Sequence, residues 1–302
     1  MAHFSDIPSN SIDDKIVIIT GANRGIGFEL ARTLSQNGAT VIIGCRNKVL
    51  GQEAQNKIGG HCKYLHLDLT KFQSITNFCE IVGSNYPRVD VLVNNAGVMC
   101  PPFTRTSEGL ELTFAVNVIG YFLLANNLIP LMKSVKSSRI VNISSIANYR
   151  VRTIDWENIN SQSTYKGIDS YSLSNLFRIM FTIELEQRLR GDGYETTAVC
   201  CHPGVILTDL FRFLPWVTKI PFLTKLINKL FLHEASQAIL PIMEAITDPT
   251  VLGGNFIGFD SNRQFKGKPK VVDANPLAYD PLLRDQLWNL SVSVTGSDFP
   301  KF

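Results

Sequence analysis

Short apolar runs alternate along the chain with longer stretches in which apolar residues recur at helical spacing. The short runs predict buried strands over Lys15–Thr20, Thr40–Gly44, Lys63–Leu69, Val89–Val93, Arg139–Ser145, Thr196–Cys201 and Asn255–Phe259. The longer stretches predict helices over Phe28–Gln36, Ser107–Val135, Ser170–Arg190, Glu234–Thr247 and near Leu282–Leu290. Because strand and helix units repeat every ~25 to 30 residues, the pattern predicts an α/β fold with a parallel sheet covered on both faces.

The first predicted strand runs directly into a glycine cluster. Residues Thr20–Gly27 read T-G-A-N-R-G-I-G, and a helical pattern follows at once. Glycines let a backbone turn sharply and approach a ligand, while the N–H groups at a helix start attract an anion. This arrangement predicts a pyrophosphate site for a nicotinamide dinucleotide, with ordinary turn chemistry as the alternative. The predicted contacts are Gly21, Asn23, Arg24, Gly25, Ile26 and Gly27.

The residues after the second strand bear on which dinucleotide is bound. The run Cys45-Arg46-Asn47 places Arg46 where a carboxylate would favour the free ribose of NAD, and an arginine there favours a 2′-phosphate. Arg24, in the glycine turn, adds a second positive charge. The sequence therefore predicts NADP(H) with Arg46 and Asn47 as contacts, against the alternative that both arginines only solvate loops.

Polar residues follow several other predicted strands, at the sheet edge where ligands of parallel α/β folds bind. Asp68 ends the third strand, Asn95-Ala96-Gly97 follows the fourth, and Ser144-Ser145 ends the fifth. A serine pair at a strand end is also an ordinary loop cap. His202, before Pro203-Gly204, is interpreted as a hydrogen-bonding residue of a fixed turn rather than a catalytic base.

Two predicted helices carry further polar candidates. Asn117 interrupts an apolar helix, where an asparagine is usually a satisfied core amide. Tyr171 and Asn175 lie four residues apart and so share one face of the next helix.

Charge and cysteine usage exclude several classes of function. The net charge is +3 with 18% charged residues, and no basic run is interleaved with aromatics, so nucleic acid is not an expected partner. The six cysteines form no C-x-x-C pair and are expected to be buried thiols, with Cys200 and Cys201 on opposite faces of a strand and no metal site. The first ten residues lack the features of a signal peptide, and no run of about 18 apolar residues occurs, which predicts a cytoplasmic protein.

The most apolar irregular stretch is Leu210–Leu232, which three lysines interrupt. It fits a lid over an apolar substrate pocket, an amphipathic segment touching a membrane surface, or ordinary core and dimer packing.

The chain resembles the short-chain dehydrogenase/reductase family in a set of motifs that occur in order. They are T-G-A-N-R-G-I-G, N-N-A-G, Asn117, a serine pair, a helix that begins with a tyrosine, and H-P-G-V. Within this family, the chain looks most like the retinol dehydrogenase-like branch. The features that indicate this are the wide gap between Ser145 and Tyr171, C-R-N after the second strand, and I-D-W-E-N-I-N before the tyrosine. The resemblance implies a single-domain Rossmann-type doubly wound parallel sheet, NADP(H), a small lipophilic alcohol or carbonyl substrate, and a homodimer formed by the helices of Asn117 and Tyr171. Residues 13–209 would form the dinucleotide-binding and catalytic core, 210–233 the lid or membrane-contact segment, and 234–302 the last helix, strand and tail.

The resemblance also implies site roles. Tyr171 would exchange a proton with the substrate oxygen, Ser145 would orient that oxygen, and Asn117 would hold a water at a local helix distortion. Asp68 would meet the adenine edge, and Asn95 to Gly97 would pack on the adenosine side. The other implied coenzyme contacts are Leu69, Pro203, Gly204, Val205 and Thr208. Of these, Val205 and Thr208 would hold the nicotinamide carboxamide.

The chain departs from the family pattern at Asn175, where Y-S-L-S-N replaces Y-x-x-x-K. The missing lysine would bind the nicotinamide ribose and lower the tyrosine pKa, and an asparagine can do only the first. A cation about 5 Å away is worth roughly 3 kcal/mol at an effective dielectric constant of about 20, or about two pKa units. The sequence therefore favours carbonyl reduction, which needs the neutral phenol, over alcohol oxidation. The alternative function is a catalytically silent dinucleotide-binding sensor or scaffold.

Overall fold

The computed structural model describes residues 12–204 and 235–300. The strands are β1 (Ile16–Thr20), β2 (Thr40–Cys45), β3 (Cys62–His66), β4 (Val91–Asn94), β5 (Arg139–Ile143), β6 (Thr197–Cys201), β7 (Phe256–Phe259) and β8 (Pro269–Val271). The α-helices are α1 (Gly25–Gln36), α2 (Lys48–Ile58), α3 (Phe72–Asn85), α4 (Leu112–Phe114), α5 (Gly120–Leu128), α6 (Gly167–Gly191), α7 (Ala235–Ala238), α8 (Leu240–Thr247) and α9 (Pro281–Thr295).

The described strands form one sheet in the order β3-β2-β1-β4-β5-β6-β7-β8. Pairing is parallel from β3 to β7, with Ile18 opposite Ile42 on one side and Leu92 on the other. β1, β2 and β4 are rich in buried Val, Ile and Leu, which pack well on a pleated sheet covered on both faces. The strand order reverses between β1 and β4, and the crevice outside the carboxyl ends of these strands is where ligands bind in such folds.

The two faces of the sheet have separate cores. Residues of one face pack with α3, α5 and α6, and include Ile18, Ile42, Leu92, Phe78, Leu124 and Leu185. Residues of the other face pack with α1 and α8, and include Val17, Ile19, Val41, Leu30, Leu34 and Ile242. Cys200 and Cys201 belong to clusters on opposite faces, as predicted. All six cysteines are free thiols, and Cys100 alone among them is half-buried rather than buried.

The α/β fold with helices on both faces is confirmed, and the differences from prediction are one additional strand, shifted element ends and one interrupted helix. β8 was not predicted, because this three-residue edge strand has no apolar pattern of its own. It pairs antiparallel with β7. β3 ends at His66 and β5 at Ile143, so Asp68 and Ser145 lie in the loops that follow and not in strands.

The long helix predicted over Ser107–Val135 is shorter and interrupted. It begins at Leu112, where the Glu111 carboxylate accepts hydrogen bonds from the backbone N–H groups of Thr113 and Phe114. A π-helical turn, Ala115–Ile119, separates α4 from α5, and a 3₁₀ turn with a proline ends the helix at Leu131. Leu112–Leu131 is long and apolar enough to cross a bilayer, but 83% of its apolar window is buried inside the fold, as expected of a core helix.

The C-terminal helix α9 covers the outer surface of α5 and α6. The Trp288 ring lies edge-on to Phe122 of α5 at 4.9 Å and stacks on Phe181 of α6 at 6.0 Å between ring centroids. The homodimer that the family resemblance implied would use this surface, and α9 of the same chain already packs against part of it. The dimer stays a prediction.

Candidate active site

The glycine turn lies at the carboxyl end of β1 and is closed by the turn after β4. Gly21 has φ of +68°, and a Cβ there would lie 2.9 Å from the Cα of Ala96. A Cβ on Gly27 would lie 2.5 Å from the Asn95 side-chain nitrogen. Both positions therefore require glycine. The helix α1 starts at Gly25, after Arg24 in extended conformation, and no side chain caps it, so the turn presents the uncapped N–H groups that an anion needs.

Thr20 joins these two turns and was missed as a site residue. Its hydroxyl oxygen accepts hydrogen bonds from the backbone N–H of Asn95 at 3.0 Å and of Ala96 at 2.9 Å. The Asn95 amide donates to the Thr20 carbonyl at 2.7 Å. Thr20 is the first residue of the glycine motif, but its hydroxyl bonds residues 75 and 76 positions away, so the local sequence does not reveal this role.

The residues predicted around the adenosine lie beside this crevice. Arg24, Arg46 and Asn47 are exposed, and the Asn47 side chain accepts a hydrogen bond from Leu50 N–H to cap α2. Asp68 is 9% exposed and its Oδ1 accepts hydrogen bonds from the Thr70 N–H and hydroxyl at 3.1 and 2.7 Å. Leu69, which follows Asp68, is buried, and Ile26 of the glycine turn is half-buried.

Tyr171 is held at the start of α6 next to the end of β5. The side chain is 7% exposed, and its phenol lies near the side chains of Ser145 and Asn175. Burial raises the pKa of the Tyr171 phenol above its usual value, while hydrogen bonding with Ser145, the positive charge of Arg178 and hydrogen bonding with Asn175 act in the opposite direction. The phenol is therefore neutral at neutral pH, and the neutral form is a proton donor.

Of the serine pair, only Ser145 lies at the site. The Ser144 hydroxyl donates to the Asn175 carbonyl at 2.8 Å and is buried under α6. Ser145 is half-buried, and its hydroxyl oxygen accepts a hydrogen bond from the Ala147 N–H at 3.2 Å, which leaves the hydroxyl hydrogen for the Tyr171 phenol or for a substrate oxygen.

Asn175 is fully buried and bonded within its own helix. Its side-chain nitrogen donates to the Tyr171 carbonyl, one turn earlier, at 2.8 Å. Its side-chain oxygen Oδ1 is a buried acceptor without a hydrogen-bond partner among the described residues. An orphaned buried acceptor is costly, and it suits a ligand hydroxyl that would donate to it.

Asn117 lies in the π-helical turn, so the helix distortion expected there is present. Its side-chain nitrogen donates to the Val98 carbonyl and the Ser174 hydroxyl, both at 3.0 Å, and its side-chain oxygen accepts from the Val98 N–H. Both amide hydrogens are thus used by the protein. Asn117 therefore positions the loop after Gly97, and a water held by its side chain stays an expectation.

Arg178 is the second residue that sequence reasoning missed. It lies on α6 seven residues after Tyr171, is 5% exposed, and its guanidinium bonds three backbone carbonyls of the site. The spacing of seven residues places Arg178 on the same helix face as Tyr171. This spacing is the sequence property that could have identified Arg178 as a site residue.

The turn after β6 contains His202, Pro203 and Gly204. His202 is fully buried, its Nε2 lies 2.8 Å from Gln264 Oε1, and its Nδ1 accepts from the Gly204 N–H at 3.2 Å. Burial lowers the pKa of His202 to about 4, so the ring is neutral and structural, as interpreted from the sequence. The predicted contacts Val205 and Thr208, and the whole of 210–232, lie outside the described residues.

Comparison with known proteins identifies the family. Residues 15–215 match the family model described as short chain dehydrogenase. The chain belongs to the short chain dehydrogenase family. It is 35% identical to retinol dehydrogenase 14 of Mus musculus, over 93% of this chain and 86% of that one. It is 34% identical to retinol dehydrogenase 13 of Homo sapiens, over 96% and 87%. The resemblance to the retinol dehydrogenase-like branch is thus confirmed.

Solved structures agree with this assignment. An uncharacterised protein from Mycobacterium Paratuberculosis superimposes with a TM-score of 0.81 at 31% identity, covering 98% of both chains. The RhlG/NADP active-site complex of Pseudomonas aeruginosa gives a TM-score of 0.67 at 23% identity, covering 85% of this chain and 99% of that chain, which at this identity shows a shared fold. The likeness to the first of these structures covers 98% of this chain and so includes residues beyond the 15–215 match.

Proposed function

We propose that this short chain dehydrogenase reduces a lipophilic aldehyde or ketone, with NADPH as the hydride donor. The observation that carries the proposal is the buried, neutral phenol of Tyr171 beside the Ser145 hydroxyl, at the sheet edge that also holds the glycine turn. The phenol is the proton donor that reduction of a C=O group requires.

A dinucleotide fits the residues at this edge. Gly21 and Gly27 leave a cradle that a Cβ would fill, and α1 begins without a side-chain cap, which suits a pyrophosphate. The orphaned Oδ1 of Asn175 is an acceptor for a ribose hydroxyl. Asn95 and Ala96, held by Thr20, would pack beside the adenosine.

The choice of NADP(H) over NAD(H) rests on two charges. Arg24 and Arg46 are exposed at the turns that follow β1 and β2, and no carboxylate stands at the end of β2 to accept hydrogen bonds from a free ribose. A guanidinium binds a 2′-phosphate through charge-assisted hydrogen bonds, and a ribose hydroxyl gains much less from it.

The reaction divides between coenzyme and protein. The bound coenzyme supplies a hydride to the carbonyl carbon. Ser145 donates a hydrogen bond to the carbonyl oxygen and orients it toward the phenol. Tyr171 then gives its proton to that oxygen, so that the C=O group becomes CH–OH and Tyr171 is left as a phenolate until it regains a proton from solvent.

The substrate class follows from the relatives and from the sequence. The curated relatives described above are retinol dehydrogenases, and Leu210–Leu232 is strongly apolar. A retinal-like or other apolar carbonyl is the proposed substrate. Contact of this same segment with a membrane surface is proposed as the way in which such a substrate would be delivered.

The test measures NADPH oxidation with retinal and a panel of apolar aldehydes and ketones, for the wild type and Tyr171→Phe. The wild type should turn over and Tyr171→Phe should lose at least a hundredfold, the contribution typical of a general acid. Tyr86→Phe, a half-buried tyrosine at the end of α3 and remote from the site, is the matched control and should keep full activity.

Thermal shift on the same samples separates the two candidate functions. An NADPH-dependent rise in melting temperature without turnover on any carbonyl would support the silent dinucleotide-binding sensor. Unchanged turnover in Tyr171→Phe would remove the phenol from the chemistry.

A further inference from the structure

Arg178 is a buried cation on the face of α6 that carries Tyr171 and Asn175. It lies seven residues after Tyr171, two helical turns along the same face, and only 5% of it is exposed. A buried guanidinium is costly unless it is paired and hydrogen-bonded. Its partners therefore indicate what it is for.

The partners are backbone carbonyls of three different segments of the site. Arg178 Nε donates to the Asn117 carbonyl at 2.8 Å, within the π-helical turn. Nη2 donates to the Ala96 carbonyl at 3.0 Å, in the turn that closes the glycine cradle. Nη1 donates to the Ile143 carbonyl at 2.5 Å, at the end of β5 and two residues before Ser145. The Arg178 side chain thus fixes the turn after β4, the π-helical turn and the end of β5 that leads to Ser145.

Among the described residues, no acid neutralises the charge of Arg178. None of the ion pairs within residues 12–204 and 235–300 includes it. Its guanidinium carbon lies 4.8 Å from the centre of the Tyr121 ring, and a Cβ on Gly97 would lie 3.2 Å from Nη2. The carbonyls and the ring face hold the guanidinium as a net positive charge beside the site.

We propose that Arg178 is the positioning cation of this active site, and that it supplies from position 178 the positive charge that Asn175 does not supply. This inference rests on the proposed reductase function. During reduction, Tyr171 loses a proton in a buried place and becomes an anion. Arg178, together with Ser145 and Asn175, offsets the cost of that anion. Its hydrogen bonds also fix the backbone at Ala96 and at Ile143, two residues before Ser145.

The size of the effect follows from the helix geometry. Residues seven apart are separated by about 10 Å along the axis, and a unit charge at that distance changes an ionisation equilibrium roughly tenfold at an effective dielectric constant of about 20. The charged and titratable groups that act on Tyr171 in the described residues are Arg178 on its own helix and the Cys100 thiol from the loop after β4. Cys100 itself has a raised pKa through burial and so is neutral at neutral pH.

The test follows the ionisation of Tyr171 directly, in the full chain without coenzyme. Protein labelled with 3-fluorotyrosine, whose phenol ionises at lower pH than tyrosine, gives a ¹⁹F NMR resonance for Tyr171 that Tyr171→Phe assigns. Arg178→Met should move the midpoint of this resonance upward by about one pH unit. Arg178→Lys, which keeps the charge and loses the planar fork, should leave the midpoint near that of the wild type. Arg190→Met, an exposed arginine at the far end of α6, is the matched control and should not shift it.

Two results would overturn the proposal. An unshifted midpoint in Arg178→Met removes the electrostatic role, and an equal shift in Arg178→Met and Arg178→Lys shows that only the packing of the guanidinium matters. If Arg178→Met does not fold, Arg178→Gln decides, because its amide keeps hydrogen-bond donors for the carbonyls and removes the charge. Its midpoint should lie about one pH unit above that of the wild type, and a midpoint at the wild-type value would contradict the charge argument. The titration is independent of turnover, so an inactive wild type would count against the reductase function and leave this result standing.

Discussion

The side-chain nitrogen of Asn175 donates a hydrogen bond of 2.8 Å to the backbone carbonyl of Tyr171, one turn earlier on α6. This bond fixes the amide and leaves its oxygen as a buried acceptor without a partner among the described residues. The residue that replaces the expected lysine is thus oriented by its own helix, with an acceptor where the coenzyme sugar is proposed to bind.

Replacing Asn175 by Ala should weaken NADPH binding about five- to tenfold, the value of one neutral hydrogen bond. Folding stability should change little, because the variant also removes an unsatisfied buried oxygen. Isothermal titration with NADPH and urea unfolding measure the two quantities. Asn126→Ala is the matched control, since both polar side-chain atoms of Asn126 are buried on α5 and have no hydrogen-bond partner in the described part of the chain. NADPH affinity lost equally in both variants would show that Oδ1 of Asn175 binds no coenzyme hydroxyl.

The pH dependence of turnover should differ between the two reaction directions. Burial raises the pKa of Tyr171 above 10, so the neutral phenol that reduction needs is fully present below that pH and is lost only as the pH rises through the raised pKa. Carbonyl reduction should therefore show no alkaline loss from Tyr171 up to about pH 9, whereas alcohol oxidation, which needs the phenolate, should rise about tenfold per pH unit. Initial rates between pH 6 and pH 9 test this, and an alkaline fall in the reduction rate centred below pH 9 would contradict it.

Coenzyme preference should depend on Arg46. Changing Arg46 to Asp should weaken NADPH binding by about ten- to a hundredfold, since a charge-assisted hydrogen bond to the 2′-phosphate becomes a repulsion. NADH binding should hold or improve, because a carboxylate there accepts from the ribose hydroxyl. Dissociation constants for both coenzymes are the measurement. Arg105→Asp, in a loop away from the glycine turn, is the control, and an NADPH to NADH ratio that moves equally in both variants would count against Arg46.

Stability should fall in mild acid because of His202. Its pKa is about 4 in the folded protein and 6.5 when unfolded, so the unfolded chain binds the extra proton between these values. The contribution is present above pH 6.5 and is lost progressively as the pH falls toward 4, by about 2 kcal/mol between pH 7 and pH 5. Urea unfolding of the wild type and His202→Gln at both pH values checks this. The variant should lose that part of the pH dependence, and His61→Gln, an exposed histidine, should retain it.

Trp288 should be the main anchor of the C-terminal helix. It is 2% exposed, packs against Phe122 and Phe181, and carries the Arg188 guanidinium 4.1 Å above its ring. Trp288→Ala should lower the free energy of unfolding by about 3 to 5 kcal/mol, as for other large aromatic residues removed from a core. Leu282→Ala, on the same helix but 80% exposed, should cost less than about 0.5 kcal/mol. Equal losses in the two variants would mean that α9 does not depend on this contact.

Local patterns determined most of the fold. The strands β1, β2, β4, β5 and β6 are short, largely buried and mostly apolar runs, and their centres fall where periodicity places them. The ends of strands and helices differ from the predicted ends by a few residues. The apolar pattern does not set an end, because strand pairing and capping side chains, such as Glu111 at the start of α4, decide it.

The sequence by itself determined the glycine turn and the parallel α/β architecture, because both follow from residue types and periodicity along the chain. The candidate site residues Tyr171, Ser145 and Asn175 came from the family resemblance that the motifs carry. Only the tertiary structure decided that Thr20 holds Asn95 and that Arg178 joins segments 35 to 82 residues away. It also decided that the Asn175 amide turns back onto its own helix. The physical reason is that a buried polar group takes whichever partner the packing of strands and helices brings within 3 Å, and that choice is made between elements far apart in the chain.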